Sequence, residues 1–125
     1  MEFDNLKVLL AEDNAINAMV MRKTLERMGV SISVANNGQE AIDLLQVESF
    51  DLILMDLYMP IMDGFEATKQ IRSLNEPHCK TPIIALTAAF SEDIEQETKA
   101  VGMNDYLPKP FKPEDLVEKL KQLTA

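Results

Sequence analysis

Short apolar runs bounded by polar clusters recur along the chain, and between them apolar residues return at helical spacing. Leu6–Ala11, Val30–Ala35, Asp51–Asp56, Pro82–Leu86 and Asn104–Leu107 read as five strands. The run Leu52-Ile53-Leu54-Met55 is too short for a buried helix and fits a strand covered on both faces, whereas Val30–Ala35 alternates apolar residues with serine and reads as an edge. The first helix runs from Ala15 to Met28, with Asn14 placed to cap it and Gly29 to stop it. Ala18, Met21, Leu25 and Met28 form its apolar stripe, which Ile16 and Val20 widen. Asn36-Asn37-Gly38 turns the chain into a second helix carrying Ala41, Ile42, Leu44 and Leu45, and Asp63-Gly64 opens a third with Phe65, Thr68, Ile71 and Leu74 inward.

The fourth helix, Ser91 to Val101, has only Ile94, Ala100 and Val101 as core candidates, while Glu92, Asp93, Glu95 and Glu97 crowd its first turns. Those acids suit the positive end of the helix dipole, but so thin an apolar face predicts the least firmly docked element. Gly102 ends this helix; the last opens near Pro113 and buries Leu116, Val117, Leu120 and Leu123. The alternation of strands and helices, with no repeat or linker, predicts one α/β domain over residues 1–125, built on a parallel sheet.

Composition narrows the functional classes. The chain of 125 residues is 46% hydrophobic, with no apolar run near the roughly 18 residues that span a membrane. Its start lacks the order of a signal peptide, and the lone Cys79 excludes an internal disulfide, a cysteine zinc cluster or a C-x-x-C redox pair. A cytoplasmic location is expected. The net charge of −9 argues against direct nucleic-acid binding, which rests on lysine and arginine contacts to phosphates. Solubility accounts for most of that acidity, unless several acids converge on a cation.

The strand ends suggest such convergence. The first strand leads to Glu12 and Asp13, the third to Asp56, the fourth to Thr87 and the fifth to Lys109, while the second offers only Ala35-Asn36-Asn37. In a flavodoxin-like doubly wound (βα)5 fold of strand order 2-1-3-4-5, the second strand is an edge and the other four are neighbours. Ligands collect beyond the carboxyl ends of such strands. Two carboxylates about 4 Å apart repel by about 4 kcal/mol at an effective dielectric of 20. Either one acid holds a proton or a cation joins them, and oxygen ligands shared with a phosphate suit Mg2+. A hydroxyl and an ammonium opposite complete a phosphoryl site, in which a central carboxylate can serve as nucleophile and form an aspartyl phosphate.

Four segments carry a resemblance that covers nearly the whole chain: V-L-L-A-E-D-N-A-I-N at Val8 to Asn17, D-L-I-L-M-D-L-Y-M-P-I-M-D-G at Asp51 to Gly64, P-I-I-A-L-T-A at Pro82 to Ala88 and Y-L-P-K-P-F at Tyr106 to Phe111. Together they resemble the response-regulator receiver domains of two-component signalling, and the E-D-N-x-x-N and L-T-A segments are most similar to receivers of hybrid sensor histidine kinases. The resemblance implies that Asp56 accepts a phosphoryl group from a phosphohistidine on a histidine kinase or histidine phosphotransfer protein. It implies Mg2+ bound by Asp13, Asp56 and the backbone carbonyl of Tyr58, with Glu12 acting directly or through water; the family often has Asp at that position. Thr87, Lys109 and the backbone of Ala88 would contact the phosphoryl oxygens, and Lys109-Pro110 resembles the family's cis peptide, which proline makes accessible. Tyr106 matches the switch aromatic: Thr87 moves toward the phosphate and Tyr106 turns into the vacated space. The fourth helix, fifth strand and last helix would then form the output face. Such a domain is not an enzyme in its own right, although a parent hybrid kinase would be, and it is expected as a monomer or weak dimer that contacts neither membrane nor nucleic acid. Tyr58 and Ala89 flank the site at positions that affect acyl-phosphate lifetime.

Blander readings stand beside these. Glu12 and Asp13 alone could be turn residues, Thr87 a cap, Lys109 a solvated surface lysine and Tyr106 a core aromatic; their convergence is what favours the functional reading. His78, beside Pro77 in a polar loop, reads as a surface histidine, and Cys79 as incidental. The methionines read mostly as core filler, with Met59 and Met62 as candidates for a partner-docking surface. An aspartate-dependent phosphohydrolase would carry D-x-D, but Leu57 and Tyr58 follow Asp56, so the second acid is missing. A receiver-like module that is never phosphorylated tends to lose an acid or the lysine, and none is lost. A nucleotide-binding flavodoxin-like protein would carry a glycine-rich loop after the first strand, and there is none.

Overall fold

The structure, a computed structural model, describes residues 5–88, 91–109 and 111–124. The strands are β1 (Lys7–Ala11), β2 (Ser31–Ala35), β3 (Leu52–Asp56), β4 (Ile83–Thr87) and β5 (Asp105–Pro108). The helices are α1 (Ala15–Arg27), α2 (Gly38–Val47), α3 (Gly64–Arg72), α4 (Glu92–Val101) and α5 (Pro113–Thr124), with one 3-10 turn at His78–Lys80. The sheet is parallel throughout, in the order β2-β1-β3-β4-β5. This is the flavodoxin-like doubly wound arrangement that the spacing predicts, with β2 at an edge.

The sheet faces two cores, which explains why its central strands are apolar at consecutive positions. Leu9, Ile53, Met55, Ile83 and Ala85 pack with Ala41, Leu45, Ala67 and Ile71 of α2 and α3. The alternate residues Val8, Leu10, Leu52, Leu54, Ile84 and Leu86 pack with Ala18, Met21 and Leu25 of α1 and Leu116 and Leu120 of α5. β3 and β4 are buried at every position, as strands covered on both faces must be. The caps follow the expected chemistry: the side chains of Asn14, Asn37, Asp63 and Ser91 accept from the backbone N–H three residues on. Gly102 ends α4 at φ 104°, a left-handed conformation suited to glycine.

Some packing differs from the sequence reading. Ile16 and Val20 do not widen the buried face of α1: they are 69% and 56% exposed. The residues facing the sheet are Ala18, Met21 and Leu25, and positions 16 and 20 fall to the side of that narrow stripe. On α4, Ala100 is exposed and the buried residue is Thr98, whose hydroxyl satisfies itself on the Glu95 carbonyl at 2.9 Å. Ile94 and Val101 are only partly buried against the core. α4 is thus held by little apolar area, as its sequence predicts.

The carboxyl end of α4 is anchored differently. Arg72, at the end of α3, donates from Nε to the Gly102 carbonyl (2.9 Å), from Nη1 to the carbonyls of Cys79 and Thr81 (3.0 and 2.7 Å) and from Nη2 to Asn104 Oδ1 (2.9 Å). Asn104 Oδ1 also accepts from the Ile83 amide at 2.9 Å, and the Asn104 amide donates to the Ile83 carbonyl at 2.8 Å, so Asn104 joins the sheet through side chain and backbone just before β5 begins at Asp105. Because these acceptors sit on two segments apart from α3, residues 79–81 and 102–104, Arg72→Ala is expected to cost about 2–4 kcal/mol, through lost charged hydrogen bonds and unsatisfied carbonyls. Urea unfolding measures it; a loss below about 0.5 kcal/mol would contradict this role.

Candidate functional site

The sheet register assembles the site. Ala11 pairs with Met55, so the chain leaves β1 at Glu12 beside Asp56. Asp56 pairs with Leu86, one residue before Thr87, and Thr87 pairs with Pro108, one residue before Lys109. The Lys109 amide extends that ladder, donating to the Thr87 carbonyl at 2.8 Å. The consequence is a cluster at the carboxyl edge of the sheet. Lys109 Nζ lies 2.8 Å from Glu12 Oε1 and 3.2 Å from Asp56 Oδ2. Glu12, Asp13 and Asp56 each bring a carboxylate oxygen to within 4.8 Å of the others. Glu12 and Asp56 are buried and Asp13 is exposed, so the cluster opens to water on one side.

The loop after Asp56 is drawn tight beneath the site. Gly64 donates to the Leu57 carbonyl at 2.9 Å, and the Tyr58 amide approaches Asp56 Oδ1 at 3.4 Å. A Cβ on Gly64 would overlap the Asp56 carbonyl oxygen, so the glycine permits α3 to start directly against the end of β3.

Burial perturbs the titration of this cluster. Burial, then the hydrogen bond and charge of Glu12, push Asp56 up to about 7 against the pull of Lys109. Burial also pushes Glu12 up, but hydrogen bonds from Asp56 and Lys109 and the lysine charge together hold it below its ordinary value. Lys109 loses solvation too, yet Glu12 and Asp56 raise it above the usual lysine value. Near neutral pH the cluster therefore holds an ammonium, an ionised Glu12 and an Asp56 poised to lose its proton. Carboxylate oxygens without nitrogen or sulfur donors form the set a hard divalent cation takes, and a cation there would favour the ionised Asp56.

The other expected site residues fall nearby. Thr87 is buried at the end of β4, and Ala88 is exposed just beyond it. Ala88 and Lys109 help line a groove of about 440 Å³ with Asn17, Val20, Thr24 and Phe111. Tyr106 is half-buried: its ring packs against the core, lies 5.7 Å from the Lys119 ammonium and borders a cleft of about 200 Å³ at α4. Tyr58 is 60% exposed and meets Phe65 edge-on, with ring centroids 6.1 Å apart. Pro110 and Ala89 lie outside the described residues, and with them the expected cis peptide and one flanking position. His78 and Cys79 sit before β4, at the opposite end of that strand from Thr87.

The docking surface expected at Met59 and Met62 is corrected. Met59 is buried and Met62 partly buried, both packed on the core, and the loop exposes Tyr58 and Ile61 instead. The exposed apolar side of α1, with Ile16, Met19 and Val20, was also missed by the sequence reading. Its only signal was a surplus of apolar residues over what one buried stripe needs.

Residues 8–121 match the family model described as response regulator receiver domain. The chain is 42% identical over 121 residues to hybrid signal transduction histidine kinase B of Dictyostelium discoideum, covering 89% of this chain and 6% of that protein. Among solved structures, the receiver domain of sensor histidine kinase PA1611 from Pseudomonas aeruginosa PAO1, with a magnesium ion coordinated in its active site cleft, is 36% identical at a TM-score of 0.88, covering 95% of this chain and 97% of that one. The receiver domain of Saccharomyces cerevisiae Ssk1, in co-crystals with the histidine phosphotransfer protein Ypd1, is 34% identical at a TM-score of 0.89, covering 98% of this chain and 90% of that one. The chain therefore belongs to the response-regulator receiver family, the signalling modules of two-component systems and phosphorelays. It spans between 3% and 15% of the length of curated histidine kinases that it resembles. Among the described residues no helix is long and apolar enough to cross a membrane.

Proposed function

We propose that Asp56 is the phosphoryl acceptor of this receiver, taking the group from a phosphohistidine on a histidine kinase or histidine phosphotransfer protein. The observation that carries the reading is the Lys109 ammonium, 3.2 Å from Asp56 and 2.8 Å from Glu12, across from a cluster of three carboxylates. In the transfer the donor's N–P bond breaks, its electron pair returns to the imidazole, and a P–O bond forms to an Asp56 carboxylate oxygen. Asp56 must be ionised to attack, and Lys109 favours that form while facing the charge that develops on the phosphoryl oxygens. The Thr87 hydroxyl and the Ala88 amide supply neutral donors beside it. Glu12, Asp13, Asp56 and the Tyr58 carbonyl would hold Mg2+, which when bound neutralises negative charge shared by the acids and the phosphoryl group. The magnesium seen in the PA1611 receiver and the oxygen-only donor set here support that choice.

Phosphorylation would draw Thr87 toward the new group and let Tyr106 rotate inward. α4, with little buried apolar area, is the element such a change biases most readily, and with β5 and α5 it forms the output surface. The rest of the reading follows: one receiver unit over residues 1–125, cytoplasmic, a monomer or weak dimer, without contact to membrane or nucleic acid and with no enzymatic turnover beyond its own phosphotransfer and dephosphorylation. Incubation with acetyl phosphate and Mg2+, followed by intact mass, tests the acceptor. One phosphoryl group should appear, and none in Asp56→Ala or after EDTA. Steady hydrolysis of an added phosphomonoester would instead favour a phosphohydrolase.

A further inference from the structure

The tip of the loop between β3 and α3 combines two unfavourable choices at one residue. Ile61 has φ 69°, and the Met62 amide donates to the Pro60 carbonyl at 2.7 Å, closing a three-residue γ-turn of the strained hand around it. A β-branched residue at positive φ is a true outlier, which persists only where its surroundings over-determine it. They do so here: Gly64 ties the loop's ends together through the Leu57 carbonyl, and the Gly38 amide holds the Met62 carbonyl at 2.9 Å. Gly38 itself must lack a side chain, because a Cβ would come within 2.7 Å of that carbonyl oxygen. The Ile61 side chain gains nothing in return from the core, being 85% exposed, while its neighbours Met59 and Met62 pack inward. Asparagine or glycine would fit this backbone at less cost.

We propose that Ile61 is a docking residue, presented by a braced turn to the apolar surface around the donor's phosphohistidine, and that it selects protein phosphodonors over small ones. The proposal rests on Asp56 being the acceptor. A protein that brings an imidazole to Asp56 must cover the neighbouring rim, and the loop that begins at Leu57 and returns at Gly64 forms part of that rim. With the chain at −9, an apolar contact also attracts a partner without adding charge repulsion. A small donor such as acetyl phosphate needs no such cover.

The test compares labelling rates of the unaltered chain, Ile61→Asn and Ile61→Leu with two donors. One is acetyl phosphate with Mg2+; the other is a phosphorylated histidine phosphotransfer domain, chosen from a panel as the fastest donor to the unaltered chain. Asparagine accepts positive φ and removes the apolar group; leucine keeps it. Ile61→Asn should slow the protein donor about tenfold or more and leave acetyl phosphate within about twofold, while Ile61→Leu stays within about threefold with both. Equal slowing with both donors, or no slowing with either, overturns the proposal. So does an unaltered chain that acetyl phosphate labels but no member of the panel does, or a solution dimer that Ile61→Asn dissociates. Failure of acetyl phosphate to label Asp56 would instead overturn the acceptor assignment on which the proposal rests.

Discussion

Asp56→Asn is expected to abolish phosphoryl uptake and to make the protein more stable. The uptake follows from chemistry, since a carboxamide offers no anionic oxygen for an acyl phosphate. The stability follows from the proton. Asp56 sits in the folded protein at about 7 against an ordinary value of 3.8, with burial as the chief cause. Between those values the folded chain keeps a proton that the unfolded chain releases, so stability from this group falls as pH rises through that window. Taken in full, the displacement corresponds to about 4 kcal/mol. The cluster is open at Asp13 and Lys109 lies alongside, so about 2 kcal/mol is the fairer magnitude. Asparagine has the same shape and no charge to bury, and Lys109 keeps Glu12 as a partner. The variant should therefore melt about 5 °C or more above the unaltered protein at pH 8, with the gap closing toward pH 4. Equal melting temperatures at pH 8 would mean that Asp56 bears no burial penalty.

Lys109→Met should also impair phosphoryl uptake but act in the opposite direction on stability. It preserves the apolar stem and removes the ammonium that holds Glu12 and Asp56 together. The lysine is raised above its ordinary value, so its stabilising charge is fully present at neutral pH and is lost only at strongly alkaline pH. Without it two buried acids face each other, a loss of about 2–4 kcal/mol at pH 8. At pH 5.5 Asp56 carries a proton and the loss should be smaller. Added Mg2+ should restore more stability to this variant than to the unaltered chain, because a cation supplies the missing charge. Labelling by acetyl phosphate should fall about 10²–10³-fold, the usual cost of losing one donor aimed at developing charge. Chemical denaturation at the two pH values and labelling time courses measure these effects. A variant as stable as its parent at pH 8 would show that the pair needs no cation.

Much of this was legible before the structure. The strands are short apolar runs with sharp polar ends, and parallel packing buries them on both faces, so Leu52–Asp56 and Ile83–Thr87 could be found from hydrophobicity alone. Once the strand order is set, Glu12, Asp56, Thr87 and Lys109 must meet, because register fixes their positions to within a residue. Side-chain packing was less legible. Ile16 and Val20 lie close to a helical stripe, and only the angle at which α1 meets the sheet puts them in water. Arg72 reads as an ordinary last-turn cation, since its acceptors lie on segments distant in sequence. The exchange of Met59 and Met62 for Ile61 arises from a γ-turn, which breaks the alternation that hydrophobic patterns rely on.

The claim at the centre is that the phosphoryl group resides on one carboxylate. Borohydride reduction of the acetyl phosphate-treated protein converts an acyl phosphate to an alcohol, so peptide mass spectrometry can locate it. Homoserine should be found at position 56 and at no other aspartate, and only when Mg2+ was present. An unreduced Asp56 alongside phosphate on His78 or on a hydroxyl would contradict the account.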